Sequence, residues 1–304
     1  MVDTSILESF IWSFLGIVVE SLPFIIIGSL VSAIIQVFLT EELIRKFIPK
    51  VSILGYLGAI LSGILFPICE CAIVPITRSL IKKGLPVGIG ISFMLAVPIV
   101  NPIVIMSTYY AFPNNISVVL LRSLGGALIA LVVGLIMGYL YNGKKKELIL
   151  KENIMTIRCE CCVSNKFTTS KREKIINLIN HGSNEFLNIS VYFIIGAFLS
   201  SVFAALMNNE VLARINTNNL VGVLFMIALS FILSLCSEAD AFVVKGFLDN
   251  FGVGAIVGFL IMGPMMDLKN AFLAFGVFNN RFASRLVLFI TIFVTALALL
   301  ISIV

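Results

Sequence analysis

Two cysteines that flank a glutamate stand directly after a proline at the end of an apolar stretch. The chain runs almost wholly apolar from Val51 to Leu65 and then reads Phe66-Pro67-Ile68-Cys69-Glu70-Cys71. Because proline removes a backbone donor, we predict that the helix breaks at Pro67. A carboxylate in such an apolar setting is costly and marks a functional site by default. Thiolates select soft acceptors, so the pattern predicts a site for a thiophilic solute. The alternative is two packed thiols and a carboxylate near a lipid interface.

A similar pattern recurs in the second half of the chain. Cys236 begins the run Cys-Ser-Glu-Ala-Asp and lies 167 residues after Cys69, while Asp267 lies 166 residues after Asn101. Asn101 and Asp267 each stand three residues after a proline. A colinear series of matches with a nearly constant offset indicates an internal repeat.

If the two breaks meet, their thiols and carboxylates share one cavity, and the acids would couple solute binding to proton movement. The side chains predicted to bind substrate are Cys69, Glu70, Cys71, Asn101, Cys236, Glu238, Asp240 and Asp267. Asn101 and Asp267 could equally cap the helices that follow them. A third group, Cys159, Cys161 and Cys162, lies in a basic loop and could bind a metal or metalloid on the cytoplasmic side, or have no role.

Composition places these residues in a membrane. The chain has 304 residues, of which 60% are hydrophobic and 12% are charged, whereas a soluble domain carries roughly 25% charged residues. Several apolar runs reach the ~20 residues that a membrane-spanning helix needs. The sequence therefore predicts an all-α polytopic protein of the cell membrane. The net charge of +5 indicates orientation rather than nucleic-acid binding, because nine Lys or Arg residues lie between positions 142 and 183.

We predict a first transmembrane repeat over residues 1–141, a basic cytoplasmic linker over 142–183 and a second repeat over 184–304. About eight apolar helical segments are expected, some broken or re-entrant. If all eight crossed the membrane, several basic residues would lie outside. If 51–81 and 220–248 instead enter and leave on one side, the basic loops become cytoplasmic and the repeats are inverted. We prefer this second arrangement, which is a recurring plan among transporters.

No nucleotide-binding, dinucleotide or zinc-protease motif is present, so we expect no cofactor and no enzyme activity. A membrane thiol oxidoreductase that uses Cys69 and Cys71 is the alternative class. The oligomeric state is left open.

The two cysteine signatures resemble those of a known family. The first signature, Phe66 to Pro75, is followed by Lys83-Gly84 and by Pro98-Ile99-Val100-Asn101-Pro102, and the second signature runs from Cys236 to Phe242. Together they resemble the predicted permease family that includes the methylarsenite efflux permease and YraQ-like permeases. The resemblance implies a permease, with efflux of trivalent organoarsenicals and arsenical resistance as the first expectation. Many members have a small residue where this chain has Glu70, and a carboxylate there favours a cation. A soft metal ion, or a sulfur or selenium species, is therefore the alternative substrate.

Overall fold

The computed structural model describes residues 2–38, 52–65, 70–113, 115–141, 148–151, 171–206, 219–247 and 251–303. Helices make up almost all of this part of the chain. In lipid, every backbone polar group needs a partner within the protein, and apolar helices meet that need internally. The helices before the central linker are α1 (Val2–Phe38), α2 (Ile53–Leu65), α3 (Glu70–Lys82), α4 (Val87–Val100), α5 (Pro102–Ala111) and α6 (Ile116–Tyr141). Those after it are α7 (Lys171–Leu206), α8 (Asn219–Leu233), α9 (Asp240–Lys245), α10 (Val253–Met265), α11 (Leu268–Val277) and α12 (Asn280–Ile303).

The prediction of an all-α polytopic protein with about eight apolar segments is confirmed. Six helical stretches are long and apolar enough to cross a membrane: Leu7–Ile35, Val87–Ala111, Ile116–Tyr141, Gly182–Phe203, Val253–Val277 and Asn280–Ile303. The other two apolar segments are α2 and α8, with 13 and 15 residues. At 1.5 Å per residue each is about 20 Å long, which is short of the ~30 Å hydrocarbon core.

Two of the six stretches are broken in the middle. The first consists of α4 and α5, separated at Asn101, and the second of α10 and α11, separated after Met265. Pro98 and Pro264 lie in the last turns before these breaks. Proline clashes with the preceding turn and cannot donate to it, so the helix ends within a few residues.

The helices α2 and α3 form a hairpin that enters and leaves on one side of the bundle. A Cβ built at Gly88, near the start of α4, would touch Tyr56 of α2, and one built at Gly63 would touch Val97 near the end of α4. The helices α2 and α4 therefore run in the same direction. The chain returns in α3, because Ile81 at its end lies against Gly90, again near the start of α4. We call α2 and α3 the first hairpin.

The helices α8 and α9 repeat this arrangement, and we call them the second hairpin. Phe225 stacks on Phe251, just before α10, while Ser230 donates to the Phe259 carbonyl deeper along α10. The helix α8 therefore runs parallel to α10. Phe247, just after α9, lies at the end of the bundle where α10 begins, because the amide of Phe251 donates to the Phe247 carbonyl.

The order of the helices, and their directions relative to one another within each half, agree between the two halves. In each half, a long helix is followed by a hairpin, a broken span and a final span. The helices α1 and α7 are antiparallel, because Phe10 contacts Phe198 and Ala33 lies next to Gly182. The helices α6 and α12 are also antiparallel, because Tyr141 packs on Phe282 and Gly125 on Leu297. These directions are those of an inverted repeat. The repeat and the boundaries 1–141, 142–183 and 184–304 stay predictions; α7 begins at Lys171, inside the predicted linker.

Close helix contacts at glycine hold the frame together. A Cβ on Gly88 would lie 2.6 Å from the carbonyl oxygen of Gly134 in α6, and a Cβ on Gly254 would lie 2.3 Å from that of Ala298 in α12. Small residues that bring backbones together are the usual means of packing helices in lipid. The innermost helices, α4 and α10, are each packed between a hairpin and a final span and contact each other.

Candidate solute-binding site

The two hairpins meet through Glu70 and Ser237. Glu70 is the first residue of α3, and its Oε2 accepts a hydrogen bond from Ser237 Oγ at 3.3 Å. These residues are 167 positions apart, the offset that relates Cys69 to Cys236. The start of α3 and the turn of the second hairpin before α9 are therefore in contact. That the two breaks form one cavity, and that an internal repeat relates them, stay predictions.

A buried lysine joins this contact from α11. Lys269 Nζ lies 3.3 Å from Asp267 Oδ2 and 3.7 Å from Glu70 Oε1. It also interacts electrostatically with both Cys71 and Cys236. Each hairpin thus contributes a thiol to the surroundings of one ammonium group. We call the residues Glu70, Cys71, Cys236, Asp267 and Lys269 the central cluster.

The second buried cation, Arg122 of α6, holds the start of α9. Its Nη2 donates to Asp240 Oδ2 at 2.8 Å and to the Ser237 carbonyl at 2.9 Å, and its Nη1 donates to Thr108 Oγ1 at 2.6 Å. Arg122 and Asp240 are each 1% exposed. The fork of the guanidinium suits this fixed arrangement, because it offers several donors in one plane. The second hairpin is therefore tied to the final span of the first half.

The cluster is more open on the side of the second hairpin. Glu70, Cys71 and Lys269 are buried, whereas Cys236 and Glu238 are half-buried. Glu238 Oε2 lies 3.9 Å from Cys236 Sγ, and its carbonyl accepts a hydrogen bond from Ser107 Oγ. Glu20, exposed in the middle of α1, is close enough to repel the Glu238 carboxylate. A solute would therefore meet Cys236 before it meets Cys71.

Asn101 and Asp267 cap the second halves of the broken spans. Asn101 Oδ1 accepts from the amide of Ile103 at 3.0 Å, and Asp267 Oδ1 accepts from the amide of Asn270 at 2.7 Å. Both residues are buried. The capping alternative therefore applies to both. Asp267 has a second role as a partner of Lys269, whereas no described contact joins Asn101 to the central cluster.

Six of the predicted site residues are gathered around the hairpin contact: Glu70, Cys71, Cys236, Glu238, Asp240 and Asp267. Cys69, Cys159, Cys161 and Cys162 lie outside the described residues. Cys71 and Cys236 are thiols, not disulfides. Within the described ranges, no group of three His, Cys, Asp or Glu side chains is arranged to hold a metal ion.

Sequence reasoning missed Arg122 and Lys269. Arg122 lies in a segment that reads as an ordinary span, and Lys269 follows Asp267 by two residues. The available signal was their charge, because an ionisable residue inside a span is expected to have a buried partner. Two other cations of the hairpins, Arg78 and Lys245, lie elsewhere: Arg78 Nη2 donates to the Lys151 carbonyl, and Lys245 is exposed.

Two hairpins and two broken spans that meet around buried charges define a multi-pass membrane protein with a polar centre. The model of the predicted permease family ArsP_1 matches residues 6–303, so the chain belongs to this family. The protein YcgR of Bacillus subtilis, described as a UPF0718 protein, is 38% identical over 289 residues, 95% of each chain. A Streptococcus mutans protein, described as a putative two-component membrane permease complex subunit, is 36% identical over 275 residues, covering 90% of this chain and 88% of its own. No solved structure is significantly similar.

Proposed function

We propose that the protein is a permease that moves a thiophilic solute through the central cluster. The observation that carries this proposal is the position of Cys71 and Cys236. They come from different hairpins, and both lie near the Lys269 ammonium at the point where the hairpins touch. Solute sites at the meeting point of broken helices are a recurring feature of secondary transporters.

The preferred solute is a trivalent organoarsenical that leaves the cytoplasm. When a thiol binds such a compound, an As–S bond forms and an As–O bond breaks. The thiol proton leaves with the hydroxyl group as water, so the site needs no net change of charge. The family includes a methylarsenite efflux permease, which supports this choice. A soft metal ion, or a sulfur or selenium species, is the second candidate, because Glu70 and Glu238 lie beside the thiols and favour a cation.

We infer an inverted-repeat topology with the central linker in the cytoplasm. The antiparallel pairs α1–α7 and α6–α12 support it, as does the position of both ends of each hairpin on one side of the bundle. The basic residues of the linker favour the cytoplasmic side. We also propose a second subunit, since the Streptococcus mutans relative is described as part of a two-component complex.

Replacement of the thiols tests the proposal. Cys71→Ser and Cys236→Ser, and Cys69→Ser by sequence, are expected to abolish resistance and transport while membrane expression stays normal. Loss of one ligand weakens binding by ~10-fold or more, because ~1.4 kcal/mol corresponds to tenfold. Efflux of a trivalent methylarsenical from loaded vesicles is the measurement.

A variant with Ser at Cys159, Cys161 and Cys162 makes the same chemical change outside the central cluster. Unchanged efflux in that variant confines the solute site to the membrane. Normal efflux in the Cys69, Cys71 and Cys236 triple variant would instead show that the thiols only pack. An oxidoreductase would give turnover of a disulfide substrate without net solute flux.

A further inference from the structure

Lys269 places a fixed positive charge where the proposed solute would bind. The residue is 2% exposed, and its ammonium lies 3.3 Å from Asp267 Oδ2 and 3.7 Å from Glu70 Oε1. It interacts electrostatically with the thiols of Cys71 and Cys236. A species held by both thiols would therefore lie at the Glu70–Ser237 contact, within the electrostatic reach of the ammonium.

The fold does not need this lysine. The same offset that relates Asp267 to Asn101 relates Lys269 to Ile103, which is 51% exposed at the start of α5. The helix α5 forms with Asn101 as its cap and an apolar residue at that position. A lysine buried at the equivalent position of α11 is thus a special feature of the second half, and charged groups at membrane depth are retained for function.

The buried cations Arg122 and Lys269 are held differently. Arg122 makes three hydrogen bonds of 2.6 to 2.9 Å and is fixed in place. Both contacts of the Lys269 ammonium to carboxylate oxygens are longer than the 2.7–2.9 Å that is typical of charge-assisted hydrogen bonds. The ammonium therefore influences neighbouring groups mainly through its charge, over several ångströms, rather than through short hydrogen bonds.

We propose that Lys269 determines the charge of the solute: it rejects metal cations from the thiol site and admits an uncharged trivalent arsenical. This inference rests on the proposed function of the central cluster and deepens it. It also decides against the soft metal ion among the candidate substrates, since that one is a cation. Discrimination by a built-in repulsive group is a general means of specificity.

The geometry explains how the rejection works. A metal ion bound to Glu70 Oε1 would lie within roughly 6 Å of Lys269 Nζ, because metal–oxygen bonds are about 2.0–2.6 Å long. The backbone of Lys269 is packed closely on α7, since a Cβ on Gly196 would lie 2.7 Å from Lys269 Cα. An uncharged arsenical meets no such repulsion.

Binding of an uncharged arsenical and of Cd²⁺ to purified protein in nanodiscs tests the inference. All variants carry Ser at Cys159, Cys161 and Cys162, so that the loop binds no metal. The probes are phenylarsine oxide and Cd²⁺, measured by calorimetry. In the protein that retains Lys269, the arsenical is expected to bind and Cd²⁺ to bind weakly. Lys269→Met is expected to strengthen Cd²⁺ binding by roughly 100-fold, or about 2.8 kcal/mol at 1.4 kcal/mol per tenfold. Lys269→Arg keeps the charge and is expected to reject Cd²⁺ as well.

A second variant guards against misfolding of Lys269→Met. The double change Asp267→Asn and Lys269→Met leaves the net charge unaltered, and Asn can cap α11 as Asn101 caps α5. A gain in Cd²⁺ affinity is expected in it as well, but a smaller one, because the change also removes the Asp267 carboxylate, which attracts a cation. Equal Cd²⁺ affinity with and without Lys269 overturns the inference, and so does tight Cd²⁺ binding by the protein with Lys269. If the arsenical does not bind, the proposed function fails, while a gain of Cd²⁺ binding in Lys269→Met still supports the rejection of cations.

Discussion

The ion pair between Arg122 and Asp240 gives the sharpest test of how the bundle is held together. Both side chains are 1–2% exposed, and they are joined at 2.8 Å across α6 and the second hairpin. Arg122→Met removes the charge and three hydrogen bonds but keeps an unbranched side chain. Asp240 Oδ1 already has no hydrogen-bond partner, so the carboxylate would be left buried and uncompensated. Breaking a buried pair from one side costs about 3–5 kcal/mol.

Removal of both charges should cost less than the sum of the two single changes. Arg122 retains Thr108 Oγ1 and the Ser237 carbonyl in Asp240→Asn, so we expect that variant to lose about 1.5–3 kcal/mol, the range for a hydrogen bond to a charged group. With about 3–5 kcal/mol for Arg122→Met, the single changes sum to about 4.5–8 kcal/mol. In the double variant Arg122→Met/Asp240→Asn neither charge is stranded, but the bonds to Thr108 and the Ser237 carbonyl are still lost, so we expect a cost of about 2–5 kcal/mol. The expected coupling energy is therefore about 2–3 kcal/mol, toward the upper end for residues in one network.

The assay is reversible unfolding in mixed detergent micelles for the four proteins of this double-mutant cycle. Arg285→Met is the matched control, because Arg285 is exposed and, among the described residues, its hydrogen bond is to Tyr141, with its Nη1 3.3 Å from the tyrosine oxygen. It should change stability by less than about 1 kcal/mol. Additive single effects, or an Arg122→Met cost no larger than that of the control, would refute the idea that this pair ties the halves together.

Three further predictions concern topology, packing and coupling. In a background without native cysteines, Lys83→Cys and Arg281→Cys are expected to react with an impermeant maleimide only from the cytoplasm; reaction of either from outside contradicts the inverted arrangement. Gly88→Ala should lower the melting temperature strongly, because its Cβ would lie 2.6 Å from a backbone oxygen, whereas Gly16→Ala, with open space around it, should be neutral or stabilising. A pH gradient across proteoliposomes should drive net flux in the unmodified protein and much less in Glu238→Gln. Flux that ignores the gradient would mean that this acid only lines the path.

The broken spans could be predicted because their cause is local. Pro98 and Pro264 each remove a donor and obstruct the preceding turn, whatever the rest of the chain does. The short hairpins followed from a second kind of reasoning, in which basic loops were kept on one side. The position of the basic loops depends on the whole chain but not on any contact. The sequence therefore predicts the helices and hairpins well, whereas the joining of the two breaks into one site stays a prediction.

The buried cations could not be placed in the same way. The partner of Arg122 lies 118 residues away, and the carboxylate Glu70 near Lys269 belongs to the other half of the chain. Ion pairing at that separation depends on how the hairpins dock, which neither hydrophobic periodicity nor a residue offset encodes. One charge in an apolar run does not change the interpretation of that run as a helix, so Arg122 gives no local signal. The cost of burying its charge does indicate that it has a buried partner.

The frame is nearly symmetric, but its charges are not. By the offset of 166 to 168 residues, the equivalents of Arg122 are Leu288, Phe289 and Ile290, and the equivalent of Lys269 is Ile103. Arg122 and Lys269 therefore act on the second hairpin and on α11, with no counterpart in the other half, while Arg78, which is buried in α3, has the exposed Lys245 as its equivalent. If the two halves exchange conformations during transport, as inverted repeats allow, the two access states would place these charges in different surroundings. The two states would then differ in free energy, because burying a charge differently changes its solvation. On that condition, the asymmetric cations are expected to give the empty protein a preferred resting state.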